Sequence, residues 1–247
     1  MEELAVTVVE VTDARKERIA SHLSRLRKSV SGGRRLQREQ FENILEIARL
    51  MARQDPKSLP LLLRLFGRAA QTRAMANVIR ERESDSLDYD EAALFDHRAQ
   101  LTKNGKRLDD LKREVAAPRA VNLAYDLIFP WPWNAGRVIN CFCKLRPGGE
   151  WGAWRQDRNH CVELWLPIGI AWVHGGNHSI TAGVLNGKGE IWPEITYDIS
   201  KIYRNVTCDG SKYFRRFDGK TIGLVPDFEM AAVFEIGRLI MKHNVPF

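Results

Sequence analysis

Long apolar runs are missing from this chain of 247 residues. No segment approaches the ~18 consecutive apolar residues of a membrane span, which excludes an integral helical membrane protein. Cysteine is scarce: Cys141, Cys143, Cys161 and Cys208 are the only four, which fits reduced thiols better than a disulfide framework in a chain of this size. Internal repeats and low-complexity tracts are absent, so solenoids and fibrous classes are set aside. Zinc-finger spacing and an RNA-recognition strand signature are lacking too, so nothing supports sequence-specific reading of nucleic acid. The start Met1-Glu2-Glu3-Leu4 is acidic where a signal peptide would be basic, and the chain is expected in the cytoplasm, away from membranes. What remains is the composition of a soluble globular protein, 44% apolar and 28% charged, with enough material for one large domain or two modest ones.

Negative charge is scarce in one region in particular. The formal net charge is +7, yet from Ala14 to Arg82 there are 17 Lys or Arg against 6 Asp or Glu, while Glu83 to Asp96 carries six acids and no base. A basic face of that size would track a DNA or RNA backbone through salt-sensitive contacts, with Arg25, Arg27, Arg34 and Arg35 as its leading residues. A solvated helical surface whose arginines pair with the acidic stretch fits the same pattern.

The apolar spacing predicts helices through most of the first half. After a β-like segment at residues 5–10, Ile19, Leu23, Leu26 and Val30 mark a first helix capped by Thr12 or Asp13, and Ser31-Gly32-Gly33 ends it. A second runs from Leu36 to Gln54 with Phe41, Ile44, Leu45, Ala48 and Met51 inward, until Asp55-Pro56 breaks it. A third takes Ser58 as cap, carries Pro60 in its first turn and continues to Ile79. These three are expected to pack as one unit. Past an acidic linker at residues 83–90, Leu94, Phe95, Leu101, Leu108, Leu111 and Val115 predict further helix up to Pro118. Ala120 to Phe129 reads as one more helix, followed by the rigid corner Pro130-Trp131-Pro132-Trp133, either a stacking surface for a base or packing between the two halves. Strands are expected at Arg137 to Leu145, Val162 to Val173, Glu190 to Ile199 and Tyr213 to Val225, the last folded at Asp218-Gly219. A helix from Pro226 or Asp227 to His243 closes the chain. The expected fold is α+β: a helical region, residues 1–118, packed on a mixed β-sheet domain, residues 119–247.

The stretch that looks most like a site is Val173-His174-Gly175-Gly176-Asn177-His178-Ser179-Ile180-Thr181-Ala182-Gly183-Val184. Two glycines, two histidines and an amide form one turn between an apolar strand and a short helix that stops at Asn186-Gly187. Strand, glycine turn and helix N-terminus together present backbone N–H groups to an anion such as phosphate. A plain turn with structural histidines fits the same residues.

The run Gly175 to Gly183, followed by Gly187-Lys188-Gly189-Glu190-Ile191-Trp192-Pro193, resembles the signature turn of the ParB/sulfiredoxin-like superfamily. The resemblance covers about 20 residues. It implies a turn that holds nucleotide phosphate, with Gly175, Gly176, Ser179 and Lys188 around the phosphate and with His178, Asn177 and His174 nearest the chemistry. Branches of that superfamily act as nucleotide hydrolases, reductases, kinases or nucleases, and ATP or another nucleotide with magnesium is the cofactor the resemblance implies. The family's basic residue after the histidine is Ser179 here, so the phosphate charge must come from elsewhere: Arg155, Arg158, Lys188, Arg215 and Arg216 are the cations at hand. Asn177 replaces the sulfiredoxin cysteine, which argues against that reductase chemistry.

Other groups are available. Cys141, Cys143, His160 and Cys161 offer four soft ligands for zinc if their strands adjoin, though Cys141 and Cys143 on one strand face are more economically buried, and no metal site is assigned. For proton transfer the near candidates are His160, Asp157, Glu163, His174 and Glu190. The sequence therefore points to a nucleotide-dependent bacterial enzyme, by analogy a toxin or defence effector. The alternatives are a non-enzymatic nucleic-acid-binding module using the basic helices, or a protein-interaction partner anchored at the aromatic corner.

Overall fold

The computed structural model describes residues 35–81, 94, 96 and 98–247. The expected strand at 5–10, the first helix, the acidic linker and Arg25, Arg27 and Arg34 lie outside the described residues. Helix α1, residues 35–54, has Phe41, Leu45 and Ala48 buried, as their spacing requires. It ends where Asp55, rather than Ser58, accepts the Lys57 N–H and caps a 3₁₀ turn at Pro56–Ser58; the Ser58 hydroxyl is turned back to the Asp55 carbonyl. Helix α2, Leu59–Glu81, follows without a break, and Ile79 on it is exposed.

Residues 98–118 are turns around the short strand β1, Arg113–Glu114, and not the expected helix. Thr102 Oγ1 accepts the Lys106 N–H and Asp110 Oδ2 the Arg107 N–H, so side chains take backbone donors that a helix would need. Leu101, Leu108 and Leu111 are buried all the same. The second correction falls on residues 120–129, which form strands β2, Val121–Asn122, and β3, Leu127–Phe129. Asp126 binds Arg119 and the Asn122 N–H, and Asn122 Oδ1 accepts the Ala124 N–H, closing a turn between the strands. Leu127, Ile128 and Phe129 are buried, on an edge strand that pairs parallel with β5 and is covered on both faces.

The third correction is residues 137–145, expected as a strand and found as helix α3, Ala135–Lys144, with Asn134 as its cap. Val138 and Cys141, three apart, are its buried positions, so Cys141 is buried while Cys143 is exposed and the two do not share a face. The expected strand run resolves into β4, Val162–Leu166, and β5, Ile170–Val173, followed by helix α4, Asn177–Asn186, which Gly187 ends in the left-handed region. Then come β6, Glu190–Ile191, and β7, Ile195–Asp198. Helix α5, Ser200–Asn205, and strand β8, Val206–Cys208, are additions that the pattern did not single out. The hairpin of β9, Lys212–Arg215, and β10, Thr221–Leu224, turns near Asp218-Gly219 as expected, and helix α6, Phe228–Lys242, is capped by Asp227.

The protein is α+β, with an N-terminal helical region and C-terminal sheets. The main sheet has the order β1-β7-β4-β5-β3, in which β3 runs parallel to β5 and β4 parallel to β7. One face carries Phe129, Trp165, Ile170 and Trp172 and packs with α1, α2 and α6 residues; the other carries Ile128, Val162, Leu164, Ala171 and Val173 and packs with Ile180 and Val184 of α4 and with Trp154. Helix α2 packs on α6 of the C-terminal half, and α1 residues join the same core. Among the described residues no helix is long and apolar enough to cross a membrane.

A buried ion pair pins α6 to the second sheet. Arg238 donates to Glu235 at 2.5 and 2.9 Å, to the Val206 carbonyl at 2.6 Å and to the Tyr203 carbonyl, and Glu235 also accepts the Cys208 N–H at 3.0 Å. Arg238→Met leaves Glu235 buried without its cation and is expected to cost ~3 kcal/mol in urea denaturation, with Glu235→Leu added in the same chain recovering most of the loss.

Candidate functional site

Strands β3 and β5, being parallel, end at the same edge of the sheet, and each passes into a helix: β3 through Pro130 to Asn134 into α3, β5 through His174 to Gly176 into α4. The aromatic corner ties the two exits together. Trp131 donates its backbone N–H to Asn177 Oδ1 at 2.8 Å and its indole N–H to the Val173 carbonyl at 3.0 Å. The Asn134 N–H donates to His178 Nε2 at 3.3 Å, so the caps of two ten-residue helices meet.

The turn itself is held tightly from one side. Gly176 has φ +79°, and a Cβ there would lie 2.3 Å from the His160 ring, while one on Gly175 would lie 2.6 Å from the Asn159 carbonyl oxygen. His160 Nδ1 accepts the Asp157 N–H at 2.8 Å, which leaves the proton on Nε2 to bind Ser179 Oγ at 2.7 Å; Ser179 in turn donates to the Gly176 carbonyl at 3.0 Å. With its hydroxyl so engaged and its histidine neighbour acting as donor, Ser179 is a brace of the turn and not an activated nucleophile.

From the other side the turn faces an open cleft of about 380 Å³ lined by Trp133, Arg137, Asn140, Trp151, Asn177 and His178, among others. Gly176 caps α4 without a side chain, and the N–H groups of Asn177, His178 and Ser179 have no acceptor among the described residues. Asn177 is 1% exposed, with Oδ1 used by Trp131 and no acceptor for Nδ2 among the described residues. His178, 8% exposed, accepts at Nε2, so its neutral ring carries the proton on Nδ1, which likewise has no partner there. Burial, and then the Arg137 charge, push the His178 pKa below its usual value, which keeps the ring neutral near pH 7. Cys141 also lines the cleft, but burial raises its thiol pKa, so it is not a thiolate. No carboxylate is among the lining residues. The cleft thus offers donors and positive potential, with the neutral His178 ring contributing its Nδ1–H.

The other expected site residues are scattered. His174 turns to the opposite face, its Nε2 3.7 Å from Glu163, whose carboxylate also meets Lys112 and the Trp165 indole. Lys188 follows the far end of α4, ~15 Å along the helix axis from the turn. Arg215 pairs with Asp218 on the β9–β10 hairpin and Arg216 is its exposed neighbour, while exposed Arg35 pairs with Glu39 on α1. Asp157 and Arg155 line an adjoining recess of about 600 Å³ that shares Trp151 and Ser179 with the cleft, whereas Glu190 and exposed Arg158 do not line either. Among the described residues no group of three or more His, Cys, Asp or Glu could hold a metal ion. The cation beside His178 is Arg137, which the sequence does not single out because its segment reads as a strand. The available signal was Asn134, a helix cap, three residues before it.

Residues 26–247 match a protein family described as a family of unknown function, DUF6710. The chain belongs to that family. No curated protein and no solved structure matches it.

Two outcomes follow for this DUF6710 protein. Gly176→Ala, strained in φ and pressed against His160, is expected to destabilise the fold by ~2 kcal/mol, seen as a lower Tm. His160 and His178 both have pKa values lowered by burial in the folded state. The unfolded chain therefore binds protons first as pH falls below the ordinary histidine value of about 6.5, and stability drops from there until the folded-state values are passed. Urea denaturation between pH 7.5 and 5 should show that loss, and His160→Gln with His178→Gln should flatten it.

Proposed function

We propose that the protein is a nucleotide-dependent enzyme that seats a phosphate group at the N-terminus of α4, with the neutral His178 ring as a hydrogen-bond donor beside it. The observation that carries this reading is the convergence of unpartnered donors in a cleft without a carboxylate: Asn177 Nδ2, His178 Nδ1 and the first N–H groups of α4, beside an Arg137 guanidinium with no acid partner among the described residues. Such a cleft favours an anion and repels cations. Of the two indoles that flank it, Trp133 packs against Trp131, His178 and Arg137, whereas Trp151 is 50% exposed with Lys144 over one face, which leaves its other face for a base to stack on. The likeness of the 175–183 turn to the ParB/sulfiredoxin-like phosphate turn supports the same ligand class. In this reading Arg137, the α4 end and the His178 Nδ1–H stabilise charge on the phosphoryl oxygens.

The test is a thermal-shift screen of the purified chain against adenine, guanine, cytosine and uracil nucleotides and NAD, with and without magnesium. A ligand at ~100 times its Kd adds about 2.7 kcal/mol, or roughly 5 to 10 °C for a chain of this size. At least one nucleotide is expected to give such a shift, Arg137→Gln to remove it, and His178→Gln to bind that nucleotide but convert it more slowly. A screen without any shift would refute the proposal.

A further inference from the structure

We propose that the cleft at α4 is built for a phosphomonoester and takes nucleoside monophosphates in preference to di- and triphosphates, an inference that rests on the nucleotide reading above. The argument is one of charge. Arg137 is the one cationic side chain lining the cleft among the described residues. The N-termini of α3 and α4 meet at the Asn134–His178 hydrogen bond, and each helix end acts as about half a positive charge. Of the two ends, that of α4 lines the cleft, so with Arg137 the cleft presents about +1.5, against the −1.5 to −2 that a phosphomonoester carries at pH 7. Further phosphates add negative charge that the cleft does not answer. Lys144, at its rim, already pairs with Glu150 at 3.1 Å and lies over the Trp151 ring, and Arg155 lines the adjoining recess instead.

The lining chemistry agrees with that count. Magnesium reaches protein-bound polyphosphates through one or two carboxylates, and no Asp or Glu lines this cleft. What lines it suits the several equivalent oxygens of one terminal phosphate. Asn177 and His178 are more than nine-tenths buried and keep one donor each without a partner among the described residues. The glycine cap leaves the first N–H groups of α4 open, where a Ser or Asp side chain would occupy the same space. Trp151 then leaves the base as the other recognised part of the ligand.

Calorimetric titration of the full chain with AMP, GMP, CMP and UMP, with the matching triphosphates and with inorganic phosphate, each in EDTA and in magnesium, decides the matter. The best monophosphate is expected to bind at least about tenfold tighter than its triphosphate, equally well in EDTA. Arg137→Gln should weaken it about tenfold or more. Trp151→Ala should weaken the nucleotide by a similar factor while leaving inorganic phosphate unchanged. Both side chains are exposed, so neither variant threatens the core. A triphosphate that binds as tightly, or a requirement for magnesium, overturns the monophosphate preference and leaves the nucleotide reading standing. Binding of no nucleotide at all overturns both.

Discussion

The parallel pairing of β3 with β5 is the constraint on which the cleft depends. Parallel strands finish at the same edge of a sheet, so the segments that leave them must diverge, and the gap between them is where ligands sit in sheets of this kind. Here the pairing of Leu127, Ile128 and Phe129 with Ile170, Ala171 and Trp172 sets the depth at which both strands end. Helices α3 and α4 then begin side by side, and the Trp131 bond to Asn177 locks one exit to the other. Neither strand would hold this register alone; both are short, and both are buried on two faces by helices from distant parts of the chain.

That arrangement carries a local cost. A helix that begins with glycine and no side-chain cap gives up roughly a few tenths of a kcal/mol of the stability a Ser or Asp would supply. Asn177, the residue best suited to capping, is spent on the Trp131 backbone, and Ser179 on the Gly176 carbonyl. His160 braces the turn from behind, filling the space above Gly176, while the Asn159 carbonyl and Cys161 close in on Gly175. The turn is thus rigid on its protein side and unsatisfied on its solvent side, the condition in which preorganised donors act most strongly on an incoming anion.

The surrounding frame is what makes such rigidity affordable. Helices α2 and α6 pack on each other and on the sheet face opposite α4, and the core runs from Phe41 in α1 to Ile240 in α6. Asp227 caps α6 and, with Glu229, holds Arg73 of α2, so the two halves of the chain are joined by charge as well as by apolar area. On the far edge, the Glu163 carboxylate gathers Lys112, His174 and the Trp165 indole into a cluster that anchors β4 to the loops ahead of β1.

Wherever a local signal was complete, the sequence alone settled the outcome. The spacing of Phe41, Leu45 and Ala48, the hairpin at Asp218-Gly219, the Asp227 cap and the strand–glycine–helix order around residues 162–186 were all legible, because each depends on neighbours within a few residues. The glycine turn at 175–176 leading into a short helix was legible for the same reason. Tertiary structure decided the rest. Residues 137–145 have a β-branched and aromatic texture, yet the Asn134 cap and the need to bury Val138 and Cys141 together made them a helix. Residues 120–129 have helical spacing, yet the Asp126 turn and pairing with β5 made them strands. Which charges converge on the turn was beyond the sequence altogether. Lys188 lies nearer to His178 in the chain than Arg137 does, but α4 carries it away, while the parallel pairing of β3 and β5 brings Arg137 in from the helix next door.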